Sequence, residues 1–459
     1  MKDFKIGGMS LDFLVFPTPE DIKRDILSGK LKRAKMKIKE RLEHKIPHGL
    51  NKKLHFELYR ILLLRKTYSI TKERAFQILK KRLRNLKKSE FEMMMSENVL
   101  EWMYIDDVPY FENRFDSNLF FNHPKFKDRQ KMDYDFRLAN KRRAIINKSI
   151  TKLIDGGKPT KFQIRAKITL KRENPTQSKV RVWLPFPKEA YQQSDVELIL
   201  SSHDVEIAPN NVGQRTVYME GFDSENFYVE FVYKIQDWIG FEGLYRDNPT
   251  KEDLSEKLPH IRFTPYLWNL IDLIFHGEDL KNIDDITKAR RIYDFITLNV
   301  NYSYVLPYAL YDNIPEYVAT VFKGDCGFQA LLFITLCRMV GVPARWQSGW
   351  SITPLIASPH DWAIIYLEKY GWVPVDLSFG GGRRENEGLR LFYFTNLDGF
   401  RMIANTEFQS DFVPNKLSWR LDPYDNQSGE MEVITKEEDG YVIDLESKIE
   451  VIEFKKAKS

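Results

Sequence analysis

Between residues 158 and 237 the apolar residues change their period, and that change divides the chain. Phe162, Ile164, Ala166, Ile168 and Leu170 alternate with polar or basic residues, as do Phe227, Val229, Phe231, Tyr233 and Ile235. Alternation sends one face of a strand into a core and the other into water. Segments 180–184, 196–200, 205–207 and 216–219 lie between these two runs. Six short strands separated by turn signals predict a β-sandwich module over 158–237.

Upstream the period is helical. Thr71 is placed to cap a helix whose Ala75, Leu79, Leu83 and Leu86 form one apolar stripe, and a second basic helix is expected over 20–45, ended by Pro47 and Gly49. Residues 21–90 hold 23 Lys and Arg against 7 Asp and Glu, while the whole chain carries only +5. The basic charge therefore belongs to one segment, which suits a solvated helical face or an anionic partner such as nucleic acid. Residues 91–131 are rich in Met and aromatics and read as an irregular cover over the rest, or as an adaptable binding surface. Arg142, Arg143 and Lys148 lead into Asp155-Gly156-Gly157, a boundary.

Downstream of the sandwich, helices are expected from Pro265, from Asp284 or Asp285, and from Cys326 to Val340, the last apolar almost all round and therefore buried. Strands follow at 344–350, 362–367 and 372–375, and further strands at 430–435 and 440–445, before a lysine-rich tail at Lys455, Lys456 and Lys458. Four regions result: a basic helical region at 1–157, the sandwich at 158–237, a catalytic unit at 238–407 and a β-rich extension at 408–459. The longest nearly apolar stretch is 330–337, too short to span a bilayer. Lys2, Asp3 and Lys5 precede a short apolar run cut by Asp12 and Pro17, a poor secretory signal, so a cytoplasmic protein is expected.

Two cysteines cannot build a disulfide framework or a four-cysteine zinc site, but they permit one reactive thiol. Cys326 opens the buried helix, where unpaired N–H groups and the positive dipole end favour a thiolate. Cys337 lies about 16 Å further along the same axis, out of disulfide reach, and reads as a core thiol. His360 begins the strand that runs through Trp362, and a turn near residue 369 returns the chain so that Asp376 faces residue 362. A histidine and a carboxylate thus meet at one end of a hairpin, the orienting pair that a thiol nucleophile needs. His44 and His48 are four apart, but Pro47 interrupts the helix that would align them, so no metal is expected. No phosphate-binding loop or dinucleotide fingerprint appears, no cofactor is implied, and Gly380-Gly381-Gly382 reads as a mobile loop.

Gly324-Asp325-Cys326-Gly327, Gly341-Val342-Pro343-Ala344-Arg345, His360-Asp361-Trp362-Ala363 and Gly371-Trp372-Val373-Pro374-Val375-Asp376 resemble the transglutaminase-like cysteine superfamily, in its order Cys, His, Asp. The segment from Tyr393 to Asp398 with Arg401, and Val182-Trp183-Leu184-Pro185-Phe186-Pro187, are similar to flanking parts of bacterial members. The resemblance implies an α+β multidomain chain with a papain-like core. It also implies a Cys326, His360, Asp376 triad and acyl transfer through a thioester. Ile364 and Ile365 stand where many members carry an acidic residue, and Thr395 where glycine is commoner.

The expected function is cleavage of an amide or peptide bond in a protein or peptide substrate. One alternative is a protein-glutamine cross-linker whose acceptor channel is walled by Trp346, Trp350 or Trp362. Another is a nucleic-acid or anionic-surface binder with an inert papain-like scaffold. One oxyanion donor is expected in the Cys326 backbone N–H, and Tyr302 is a candidate for the second. Arg345 and Trp350 read as structural. The sequence leaves the oligomeric state open.

Overall fold

The computed structural model describes residues 11–132, 134–420, 424–434 and 443–457. Lys2, Asp3, Lys5, Thr435, residues 440–442 and Lys458 lie outside them.

The basic segment 20–45 forms two helices, Glu20–Leu27 and Leu31–Leu42, where one was expected. Gly29 turns the chain between them at φ +72°, and a Cβ there would come within 1.8 Å of the Tyr104 carbonyl oxygen. A twenty-residue helix, His48–Thr67, starts directly after Pro47. The Thr71 hydroxyl caps helix Lys72–Arg82 by accepting from the Arg74 N–H at 3.4 Å. Leu83 and Leu86 lie past its end but share a core with Ala75 and Leu79.

Residues 91–131 are not an irregular cover. They continue a helix, Lys88–Ser96, into a hairpin, Trp102–Ile105 with Val108–Glu112, that Tyr68–Thr71 extends to three strands, and then a helix, Phe115–Asn122. Asp106 and Asp107 both take positive φ and make the two-residue hairpin turn. Met94 and Met95 are buried in the core beneath, and only Met93 is exposed.

Helix α1 (Tyr134–Ile154) leads into two four-stranded antiparallel sheets. One contains β1 (Lys161–Arg172), β3 (Gln193–Ser201) and β6 (Phe227–Gln236). The other contains β2 (Lys179–Pro185), β4 (Glu206–Ile207) and β5 (Thr216–Phe222). Their inward alternating residues, Ile164, Ile168, Val182, Val229 and Phe231 among them, join one hydrophobic cluster. Each sheet takes its fourth strand from the C-terminal stretch.

A third four-stranded sheet has the order β9-β8-β7-β10, from β7 (Ala344–Ile352), β8 (Ala357–Leu367), β9 (Gly371–Val375) and β10 (Arg401–Asn405). One face packs on α2 (Asp285–Asn299), capped by Asp284, and on the almost wholly buried α3 (Cys326–Met339). Its other face, with Trp350, Trp362 and Trp372, joins the core of the two upstream sheets. From the C-terminal stretch come β11 (Glu430–Val433), which pairs with β2, and β12 (Leu445–Lys456), which pairs with β1. No helix among the described residues is long and apolar enough to cross a membrane.

Candidate active site

The β8–β9 hairpin has the register Ala363 opposite Val375, and one further step sets Asp376 against Trp362. His360 Nε2 and Asp376 Oδ2 meet at 2.7 Å, both buried. Asp376 also caps the short helix α4 (Leu377–Gly381), accepting the Phe379 N–H at 2.9 Å, so residues 380–381 are helical and not the expected loop. Gly380 sits against Tyr293, whose hydroxyl a Cβ would meet at 2.0 Å. The imidazole is held by rings as well, 4.3 Å from Phe379 and 5.8 Å from Trp362 between centroids. With Nε2 committed to the carboxylate as N–H, Nδ1 is the nitrogen left for chemistry.

A residue with no assigned role in the sequence completes this pair. Arg401, fully buried, places Nη1 2.8 Å from Asp376 Oδ2 and Nη2 3.3 Å from Asp398 Oδ2. Its guanidinium lies over Phe379 and Trp362. Burial opposes the charge on Asp376, but His360 and Arg401 overcome it and hold the carboxyl well below the usual range. The His360 imidazole is pushed down from its ordinary value, because burial and the Arg401 and Arg142 charges outweigh Asp376.

Cys326 begins α3, and Asp325 caps that helix by accepting the Phe328 N–H at 3.0 Å. The thiol is half-buried, whereas Cys337 is fully buried at the far end of the helix. The Cys326 Sγ donates to Asp361 Oδ2 at 3.1 Å. Asp361 lies between His360 and Trp362, so strand alternation turns it to the opposite face, toward α3. Gly327 makes room there: a Cβ would meet the Tyr308 hydroxyl at 2.1 Å and Asp361 Oδ2 at 2.9 Å. Gln427 donates to Asp361 Oδ1 and, at 3.1 Å, to the His360 carbonyl.

This surrounding reverses the expectation that the helix start favours a thiolate. Burial first, then Asp361 and Asp325, push the Cys326 thiol well above its ordinary value. Asp361 is itself pushed far up by burial and by Asp425 and Asp325, and Asp325 is pushed up to about 6 by burial. Several buried carboxyls so close cannot all ionise, and they share their protons as a group.

Cys326, His360 and Tyr302 line one cleft of about 260 Å³ together with Arg142, Arg143 and Arg383. Tyr302 follows the end of α2 and packs edge-on against Phe121 at 5.2 Å. Trp346, Trp350 and Trp362 are buried, and none is among the residues lining this cleft. Trp350 donates its indole N–H to the Gln427 carbonyl, and Arg345 pairs with Asp253 and Asp247 beneath Trp372. His48 opens a helix that His44 precedes in non-helical chain. Thr395 takes φ +77°, a conformation in which a glycine costs nothing, and its carbonyl accepts the Gly240 N–H. Cys326, His360, Asp376 and Tyr302 carried a sequence signal for the chemistry, and Trp346, Trp350 and Trp362 one for an acceptor channel in a cleft that they do not line. Asp361 and Gln427 are recognisable only once the strand faces are set.

Residues 278–377 match the family model described as the Transglutaminase-like superfamily. Among solved structures the chain is similar to a protein of Cytophaga hutchinsonii titled a "putative cysteine protease", at 16% identity and TM-score 0.41, over 65% of this chain and 92% of that one. It is also similar to the periplasmic domain of TgpA from Pseudomonas aeruginosa, at 12% identity and TM-score 0.28, over 49% of this chain and 91% of that one. No curated protein matches it.

Proposed function

We propose that this chain, whose residues 278–377 form a transglutaminase-like domain, cleaves an amide or peptide bond in a protein or peptide substrate through Cys326, His360 and Asp376. The observation that carries this reading is the 2.7 Å His360–Asp376 contact beside a cleft that Cys326 also lines. Asp376 holds the ring with Nε2 protonated, so Nδ1 accepts the thiol proton. Cys326 Sγ then bonds to the carbonyl carbon. The oxyanion is met by the Cys326 backbone N–H, with the Tyr302 hydroxyl as the candidate second donor. His360 returns the proton to the departing amine as the C–N bond breaks, leaving a thioester. Water, deprotonated by His360, attacks the thioester and frees the acid and the thiol.

Hydrolysis is preferred over cross-linking because the three tryptophans that would wall an amine channel are buried and none of them lines the cleft. An inert scaffold with a nucleic-acid surface is disfavoured because many cations of 21–90 are paired. Arg33 and Lys37 bind Asp25, Arg60 binds Glu57, Arg65 binds Asp106 and Arg82 binds Asp116. Both cysteines are free thiols, as a cytoplasm would keep them.

The test is a peptide-library digest by the full chain and by Cys326→Ala. Cleavage by the former alone, with both folded by circular dichroism, supports the reading. Equal cleavage by both proteins would sink it. A fluorescent amine added to the digest reads cross-linking directly, as its incorporation at glutamine.

A further inference from the structure

We infer that Arg142, Arg143 and Arg383 select an acyl substrate that carries a carboxylate next to the bond attacked, either an acidic side chain or a free terminal carboxylate. This rests on the proposed role of Cys326 and adds a substrate class to it. All three arginines line the cleft that holds Cys326 and His360. They come from two separate parts of the chain: Arg142 and Arg143 from α1, and Arg383 from just beyond α4. The helix that precedes the sheets therefore forms one wall of the cleft.

Their present partners are neutral. Arg142 donates to the Ser351 carbonyl at 3.3 Å, and Arg143 to the Gly382 carbonyl. Arg383, which is buried, donates to Asn147 Oδ1 at 2.8 Å and to the Phe379 carbonyl at 2.9 Å. Neighbouring carboxylates leave these charges open. Asp398 acts on Arg142 but is paired with Arg401, and Glu385 acts on Arg143 without closing to an ion pair. Burial works against the Arg142 charge, with Arg401 adding repulsion, and Arg143 and Arg383 repel one another. A partly desolvated cationic cleft repays that cost when an anion enters, and guanidinium groups match a carboxylate in shape.

The test uses two alkylating probes of similar size, iodoacetate and iodoacetamide, on the full chain. In either case the Cys326 thiolate forms an S–C bond, and iodide leaves with the electron pair of the broken C–I bond. Labelling at Cys326 is read by peptide mass spectrometry, and the rate ratio is divided by the same ratio for free glutathione. The expected normalised preference for iodoacetate is about tenfold or more at low salt, as electrostatic focusing gives. It should fall with added salt. It should also fall severalfold in Arg143→Gln and further in Arg142→Gln/Arg143→Gln, while Arg143→Lys keeps most of it.

Because the positive end of helix α3 at Cys326 would also draw an anion, the arginine variants make the assignment. A normalised ratio near one in the native chain overturns the inference, and so does a ratio that survives the double variant. If even the neutral probe labels Cys326 no faster than Cys337, the nucleophile reading itself fails and takes the inference with it. Arg143 is exposed, so Arg143→Gln is expected to keep its thermal midpoint. A peptide arm then separates the two sources of carboxylate: Glu beside the scissile bond with a blocked C-terminus, or neutral residues with a free one. At least one should exceed its uncharged amide counterpart about tenfold in kcat/KM. Parity of both with that counterpart overturns the inference.

Discussion

Cys326 donates its thiol proton to Asp361, a carboxyl on the face of β8 opposite to His360. The residue proposed as nucleophile therefore rests against an acid, while its proposed base lines the same cleft. Thiol and imidazole shift in opposite directions, the first up and the second down. A resting thiolate–imidazolium pair needs the reverse order. For the mechanism proposed above, this order predicts a neutral resting pair whose thiol gives up its proton only on attack.

Alkylation should report this. The iodoacetamide rate at Cys326 is expected to climb through pH 9 with no plateau between pH 5 and 8. An ion pair would produce such a plateau, since the thiolate would already be present there. A flat rate across that interval would exclude the neutral pair.

Asp361→Asn removes one ionisable neighbour from the thiol and keeps the size of the side chain. A negative charge nearby disfavours the thiolate, so its loss should move the alkylation midpoint to lower pH. An unchanged or higher midpoint would show that Asp361 does not set the thiol's acidity.

Arg401 is the counter-charge to both Asp376 and Asp398, and all three are fully buried. Arg401→Met leaves two carboxylates inside the protein without it. A loss of roughly 3–5 kcal/mol is expected, as when one partner of a buried pair is removed. Chemical denaturation of the two proteins checks this, and a loss below about 1 kcal/mol, the level of an exposed pair, would place Arg401 outside the framework of the site.

His260 is fully buried, its Nδ1 accepting the Ile314 N–H at 3.1 Å and its Nε2 facing the Tyr424 hydroxyl at 2.8 Å. Burial pushes it down to about 3. A depressed histidine stabilises the fold above its unfolded value near 6.5, and that contribution is lost as pH falls toward 3. The native chain should therefore lose stability over that interval more steeply than His260→Gln, as followed by thermal midpoints from pH 7 to pH 4. Parallel curves would show that His260 does not titrate with unfolding.

Much of this was legible from local pattern. Alternation marks β1 and β6, Gly341 and Pro343 end α3, and the index arithmetic of one hairpin brings His360 to Asp376. What escaped depends on contacts distant in sequence. The helix start at Cys326 predicts a favoured thiolate, but burial first, then Asp361 and Asp325, push the thiol the other way, and their placement needs the β8–α3 packing. The Met-rich stretch at 91–131 looked irregular because its elements are short, although Asp106-Asp107 carries a readable turn signal. The arginines of α1 read as punctuation before Asp155-Gly156-Gly157, and nothing in their spacing announces a wall of the cleft.

The pairing of β12 with β1 sets an order on synthesis. Ile449 lies opposite Ile168 and Phe454 opposite Ile164, across about 280 intervening residues or more that include the whole transglutaminase-like match. As the chain leaves the ribosome, β1 has its inner neighbour β6 early, while its other edge waits until almost everything else has been made. An open, apolar-patterned edge of that length is a template for stray pairing with other nascent chains. Fragments that stop short of residue 445 would keep that edge bare, so for this chain solubility of a truncation product is decided at a strand remote from the chemistry.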